Sequence, residues 1–275
     1  MLPNRFVKMA GGGNDFVVFE ADGSRLAEAE RRQIALLCRR GLSVGADGAL
    51  FLRPGRNGEV RLDYFNADGG LASFCANGTR CAARYAARRG LVETQEPVIE
   101  TGWGKIRSRV AADEVTLWLP PFPAPGQAIP VSEEGVAPVA LPMDVGVPHL
   151  VVFVPSDLAD LDIARLGPPL RHHPAFPSGA NVDFVQVINK NRIYVRTFER
   201  GVEGETLACG SGVVASAVAA ERQRCVESPV ACGTQSGIDF VVSFTEKEGM
   251  MTDVMLTGDA REIYSGEFGP DAAKP

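Results

Sequence analysis

Two stretches decide how this chain is read: Phe65-Asn66-Ala67-Asp68-Gly69-Gly70-Leu71-Ala72-Ser73-Phe74-Cys75-Ala76-Asn77-Gly78 and Phe198-Glu199-Arg200-Gly201-Val202-Glu203-Gly204-Glu205-Thr206-Leu207-Ala208-Cys209-Gly210-Ser211-Gly212. Each begins where a strand-like run ends, passes through a turn and reaches Cys-x-x-Gly ahead of an Ala-rich helix. Cys75 stands ten residues after Phe65, and Cys209 eleven after Phe198. A unit of strand, turn, Cys-x-x-Gly and helix, found once per half, marks an internal duplication. A shorter echo links Asn14-Asp15-Phe16-Val17-Val18 to Asn181-Val182-Asp183-Phe184-Val185.

Outward from these stretches, Arg5 to Met9 and Phe16 to Phe19 read as strands flanking the Gly11-Gly12-Gly13 turn. Leu26 to Arg40 reads as a helix with Ile34, Leu37 and Cys38 on one face, closed by Gly41. In Glu59 to Phe65, Val60, Leu62 and Tyr64 alternate with Arg61 and Asp63, the pattern of a half-buried strand. A helix from Thr79 to Arg89 ends at Gly90, and strands follow at Pro97 to Glu100, Lys105 to Val110 and Glu114 to Leu119. Prolines at 120, 121, 123, 125, 130, 138, 142 and 148 make the next stretch a linker or crossing segment, so a domain boundary is expected there. Beyond it come strands Leu150 to Val154, Val182 to Ile188 and Arg192 to Phe198, a helix from Val213 to Gln223, and strands to Tyr264. The expectation is an α/β (α+β) chain of two similar domains, 1–120 and 121–264.

Composition narrows the function. A chain of 275 residues, 45% hydrophobic, can bury a substantial core and sits near the length at which cores divide. With 28 Lys+Arg against 34 Asp+Glu the net charge is −6, and the pI near 5.3 excludes a general nucleic-acid binder, which needs a positive excess. Apolar runs such as Leu150 to Val154 fall far short of the roughly 20 residues that span a bilayer, so no membrane partner is expected. Met1-Leu2-Pro3-Asn4-Arg5 carries no apolar signal core, and a cytoplasmic location is expected.

Six cysteines in an acidic chain of this kind predict reduced thiols rather than a disulfide framework. No Cys-x-x-Cys pair occurs, and with His149, His172 and His173 the only histidines, no metal site is predicted. Cys38, Cys81, Cys225 and Cys232 read as small fillers. Cys75 and Cys209 differ, because each precedes a helix. The first turn of a helix offers unpaired N–H groups and a positive dipole end, which binds anions and lowers a thiol pKa. Two such thiols on either side of a carbon next to a carboxylate suit inversion of configuration without a cofactor, one taking a proton and the other returning one. A redox-responsive or metal-binding module, and a double-bond isomerase, are the competing readings. Arg80, Arg84 and Arg88, spaced i, i+4, i+8, read as a solvated basic helix face.

The motifs Gly13-Asn14-Asp15-Phe16, Gly45-Ala46-Asp47-Gly48, Phe65-Asn66-Ala67-Asp68-Gly69, Cys75-Ala76-Asn77-Gly78, Pro148-His149, Phe176-Pro177 with Asn181, Glu199-Arg200 and Gly204 to Gly212 occur in that order over nearly the whole chain. In these the chain resembles the diaminopimelate epimerases, cofactor-independent enzymes of lysine and peptidoglycan-precursor biosynthesis that interconvert LL- and meso-2,6-diaminopimelate. The resemblance implies two pseudo-symmetric domains, each a mixed barrel-like sheet around a central helix. It places the active site in the cleft between them and returns the C-terminal segment 265–275 to the first domain. It assigns the acid/base pair to Cys75 and Cys209, assisted by His149 and Glu199.

By the same resemblance Asn14, Asn66, Asn181 and Arg200 hold the amino and carboxylate groups of the substrate, while Ala76-Asn77 and Gly210-Ser211 supply backbone donors to the reacting carboxylate. The chemistry suits them, since Asn offers donor and acceptor to a zwitterion and Arg clasps a carboxylate in two bonds. Tyr264 matches a dimer contact, so a homodimer is expected, and no cofactor is implied. Three positions depart from the family pattern: Ala76 for a frequent Gly, Val147 for a frequent Asn that helps bind the far end of the substrate, and Gly48 for a Gln in some members. They admit a related amino-acid racemase, for example one acting on histidine.

Overall fold

The computed structural model describes residues 2–21, 27–155 and 157–274. The chain divides into two units, residues 1–117 with 258–275, and residues 118–257.

In the first unit, β1 (Arg5–Gly11) and β2 (Asn14–Glu20) form a hairpin, α1 (Glu28–Leu37) crosses over, and β3 (Gly48–Pro54) pairs parallel to β2. Antiparallel β4 (Val60–Asn66) follows, flanked by the short β5 (Leu71–Ala72) and by parallel β6 (Val98–Thr101), which turns back into antiparallel β7 (Gly104–Ala111). β8 (Glu114–Trp118) leads out of the unit. α2 (Ala76–Arg89) packs against β1, β2, β3, β4, β6 and β7, so the sheet wraps around it. α2 ends at Gly90, whose φ of 72° is a left-handed conformation that a residue without Cβ adopts at no steric cost. The α1 helix is shorter than the sequence predicts. Ile34, Leu37 and Cys38 are buried on its inner face, while Leu26 lies outside the described residues.

The second unit repeats this order. The short β9 (Phe122–Pro123) and β10 (Ile129–Pro130) are followed by β11 (Val139–Asp144) and β12 (Pro148–Phe153), an antiparallel pair. α3 (Ile163–Arg171) crosses to β13 (Asn181–Asn189), parallel to β12. Antiparallel β14 (Arg192–Glu199) is flanked by β15 (Gly204–Thr206) and by parallel β16 (Val230–Thr234), and β17 (Asp239–Lys247) and β18 (Met250–Asp259) complete the run. β9 lies beside both β18 and β11, drawing the sheet's ends together into a barrel around α4 (Gly210–Arg222). The Pro-rich stretch is therefore built into the second unit and is not a free linker.

Chain reversal comes earlier than expected. Residues 258–264, read as part of the second domain, lie in the first unit, because β19 (Arg261–Glu267) pairs with β1 through Arg5↔Glu267 and Lys8↔Tyr264. The short echo of Asn14–Val18 is also out of step by one strand. Strand, helix, parallel strand runs β2–α1–β3 in one unit and β12–α3–β13 in the other, so β2 corresponds to β12, and β13 to β3. Phe16 lies opposite Gly48 as His149 lies opposite Asn181. In the duplication Phe16 therefore answers to His149, Gly48 to Asn181 and Leu50 to Asp183.

Burial overturns one reading outright. Arg80 and Arg84 are not on a solvated face: both guanidinium groups are buried, and of the stripe only Arg88 is exposed. The sheet wraps around α2, so basic residues buried on it need hydrogen-bond partners, whether inside the barrel or at its rim, where Asp113 is exposed. Arg80 Nε donates to the Asp259 carbonyl at 3.1 Å, and Arg84 Nη2 to Asp113 Oδ1 at 3.0 Å.

Candidate active site

Both cysteines cap their helices. Cys75, in extended conformation (φ −147°, ψ 112°), is the N-cap of α2, and its Sγ accepts the Gly78 N–H at 3.4 Å. Cys209 (φ −112°, ψ 114°) is the N-cap of α4. The small residues that follow leave the first-turn amides uncovered by long side chains, the arrangement that receives a carboxylate.

Around Cys75 a chain of amides is forced into one orientation by its ends. Arg80, a pure donor, gives Nη2–H to Asn77 Oδ1 at 2.6 Å. Asn77 then donates from Nδ2 to Asn14 Oδ1 at 2.7 Å, and Asn14 Nδ2 donates to Asp47 Oδ2 at 3.0 Å. Beyond it Arg40 ties Asp47 and Asp15 together at 2.8 and 2.6 Å, and Lys8 pairs with Asp15 at 2.8 Å. Burial works to raise the Asp15 carboxyl, but the hydrogen bonds and charges of Arg40 and Lys8 hold it below the ordinary value. Asn66 ends β4 and is exposed. Gly48 is the one departure with a visible cause: a side chain there would run into the Phe65 carbonyl and the Tyr64 ring.

The surroundings of Cys209 are different. His149 is fully buried between Asp183 Oδ2, 2.7 Å from Nδ1, and Ser211 Oγ, 2.9 Å from Nε2. Ser211 Oγ lies 3.5 Å from Cys209 Sγ, and Thr197 Oγ1 donates to the other Asp183 oxygen at 2.8 Å. Asp183 is fully buried and Thr197 nearly so. The expectation that a helix start lowers the thiol pKa fails at Cys209. Burial pushes it well above the ordinary thiol value, the charges of Glu199 and Asp183 add to that, and the Ser211 hydroxyl only partly offsets them. Asn181, buried, accepts the Arg200 N–H at 2.8 Å, and Arg200 Nη1 reaches the Gly179 carbonyl at 3.3 Å.

The structure thus brings Asn14, Asn77 and Cys75 together in the first unit, and His149, Ser211 and Cys209 in the second, with Asn181 bonded to Arg200. Asp183 and Arg80 complete these networks, and the sequence does not single out either for them. Asp183 reads as one letter of an Asn-x-Asp-Phe echo and Arg80 as one of a surface stripe. Gly212 is the signal that was available. A Cβ there would stand 3.0 Å from Asp183 Cγ and 3.2 Å from Thr197 Oγ1. Tyr264 is 46% exposed on β19, its ring edge against Phe6 at 6.0 Å between centroids. Among the described residues, no group of three or more His, Cys, Asp or Glu is placed to hold a metal ion, and no helix is long and apolar enough to cross a membrane.

Comparison with known proteins gives a consistent picture. The family model described as diaminopimelate epimerase matches residues 6–117 and 142–262. The diaminopimelate epimerase of Methanothrix thermoacetophila is 37% identical over 96% of this chain and 96% of its own length, and that of Aquifex aeolicus 34% over 97% and 98%. Among solved structures, a hydroxyproline epimerase from Agrobacterium vitis superposes with a TM-score of 0.70 at 15% identity, covering 97% of this chain and 92% of its own. A phenazine biosynthesis protein of the PhzF family from Enterococcus faecalis gives 0.70 at 16%, covering 96% and 98%. These two likenesses establish the mixed α/β, two-domain fold.

Proposed function

The chain belongs to the diaminopimelate epimerase family and is an isomerase, and from that premise we propose that it interconverts LL- and meso-2,6-diaminopimelate by two-thiol acid/base chemistry, without a cofactor, in lysine and peptidoglycan-precursor biosynthesis. The observation that carries this reading is the duplicated cap: each unit presents one cysteine at the N-terminus of its central helix. The first-turn amides of α2, at Ala76 and Asn77, and of α4, at Gly210 and Ser211, take the substrate carboxylate. Charge developing there as the α-proton leaves is stabilised by donors already in place. Asn14, Asn66, Asn77, Asn181 and Arg200 fix the remaining polar groups.

One thiolate removes the α-proton, and the opposite thiol delivers one to the other face. Burial and its acidic neighbours favour Cys209 as the thiol, hence the acid in one direction, with Cys75 the base. The reverse direction exchanges the roles, and His149 and Glu199 assist the exchange. The departures at Ala76, Val147 and Gly48 admit a second reading, a racemase for a related amino acid.

Conversion of LL- to meso-diaminopimelate, followed by chiral chromatography, tests the assignment. Cys75→Ser and Cys209→Ser are each expected to abolish turnover while keeping the wild-type circular dichroism spectrum. Full activity in either variant would overturn the two-thiol reading, and activity confined to another amino acid would favour the second.

A further inference from the structure

We propose that Asp183 is a positioning residue of this reaction: it fixes His149 as the Nδ1–H tautomer, so that Nε2 is a bare acceptor able to take the Cys209 proton through the Ser211 hydroxyl. The inference rests on the two-thiol reading above. A carboxylate only accepts hydrogen bonds, so the 2.7 Å contact to His149 Nδ1 requires the proton on that nitrogen. The other carboxylate oxygen already receives Thr197 Oγ1–H at 2.8 Å, so Asp183 is held on both sides. Nε2 then has a lone pair facing Ser211 Oγ at 2.9 Å, Ser211 donates to it, and the hydroxyl oxygen accepts Cys209 S–H at 3.5 Å.

Every group in this line is buried, so no water competes for the bonds. When Cys209 must act as base, its S–H bond breaks and the proton passes to Ser211 Oγ as the Ser211 proton passes to His149 Nε2. A thiolate, a neutral serine and an imidazolium paired with Asp183 result, and the reverse movement restores the thiol.

The duplication makes the line specific to one half. The positions answering to Asp183 and His149 in the first unit are Leu50 and Phe16, and both face Gly78, with Leu50 Cδ2 at 3.0 Å and Phe16 Cε1 at 3.6 Å from where a Cβ would stand. Asp183 faces Gly212 in the same way. The same scaffold is thus apolar behind Cys75 and proton-conducting behind Cys209.

The test is ¹⁵N NMR of histidine-labelled, reduced protein without substrate, which distinguishes the protonated from the bare ring nitrogen. Three histidines are present, and loss of one set of signals in His149→Gln assigns the resonance. The expected result is Nδ1–H with bare Nε2 in the wild type. In Asp183→Asn that preference should be lost, with kcat down by about 10²–10⁴-fold, the range from lost acid–base assistance to the wrong tautomer of a histidine that an aspartate orients, and KM little changed. Bare Nδ1 in the wild type, or an Asp183→Asn protein with unaltered tautomer and rate, would overturn the inference. If Asp183→Asn does not fold, the wild-type spectrum still decides. Because that spectrum needs no substrate, it also separates failure here from failure of the diaminopimelate assignment.

Discussion

Gly212→Ala should disable the second half-site with a single methyl group. A Cβ at 212 would stand 3.0 Å from Asp183 Cγ, nearer still to Oδ1, and 3.2 Å from Thr197 Oγ1. Ordinary carbon contacts lie at about 3.5–4.0 Å, so the carboxylate must retreat by about 1 Å. A shift of that size is enough to stretch or misalign its 2.7 Å bond to His149 beyond hydrogen-bond range. Overpacking a buried site costs about 1–3 kcal/mol, against at most about 1 kcal/mol gained by replacing Gly with Ala within a helix. The net cost is up to about 2 kcal/mol, and at about 2–4 °C per kcal/mol the temperature of thermal unfolding should fall by up to about 8 °C. A misplacement of 1 Å can cost about 10²-fold in rate. Differential scanning fluorimetry and the epimerisation assay read the two effects. A variant with wild-type Tm and kcat would refute the reasoning, since it would mean that Asp183 moves aside without consequence.

Other consequences follow from the same geometry. Arg80→Met removes the donor that orients Asn77, and through it Asn14; KM for diaminopimelate should rise by about 10-fold or more, reflecting a lost hydrogen bond to a charged group of about 1.5–3 kcal/mol, and an unchanged KM would count against the amide chain as a binding device. Cys38 and Cys81 are pushed by burial from the ordinary thiol value up to about 12. Their folded-state pKa values are raised, so their contribution is complete below about pH 9 and is lost as pH rises toward 12, each by at most about 4 kcal/mol. Urea midpoints measured across that window should fall less steeply in Cys81→Ala than in the wild type. Tyr264→Asp, at an exposed strand position, should convert the expected homodimer to monomer in analytical ultracentrifugation, and a wild-type monomer would remove that expectation.

Much of the fold is legible in local signals. Strands at Arg5, Val60, Val182 and Arg192 and the helices after each Cys-x-x-Gly follow from alternation, apolar runs and glycine stops. β3 is harder to read: Ala49-Leu50-Phe51-Leu52 is buried on both faces between β2 and β4 and carries no alternation. α3 is obscured by Pro168 and Pro169 within it, although Asp162 caps it by accepting the Arg165 N–H at 3.1 Å. At the site, the cysteines are legible because the repeat marks them twice. Asp183 and Arg80 are not, because a buried carboxylate or guanidinium has the same letter as an exposed one, and only the barrel around it determines which it is.

The central claim is two-base inversion, and incubation of the reduced protein with LL-diaminopimelate in deuterated water tests it most directly, following α-hydrogen exchange and meso product together. Early meso product should carry solvent deuterium at the inverted carbon, while unconverted LL substrate gains little, because separate thiols remove and return the proton. Deuterium appearing in the LL substrate as fast as meso product forms would contradict it, since a single base would then serve both faces.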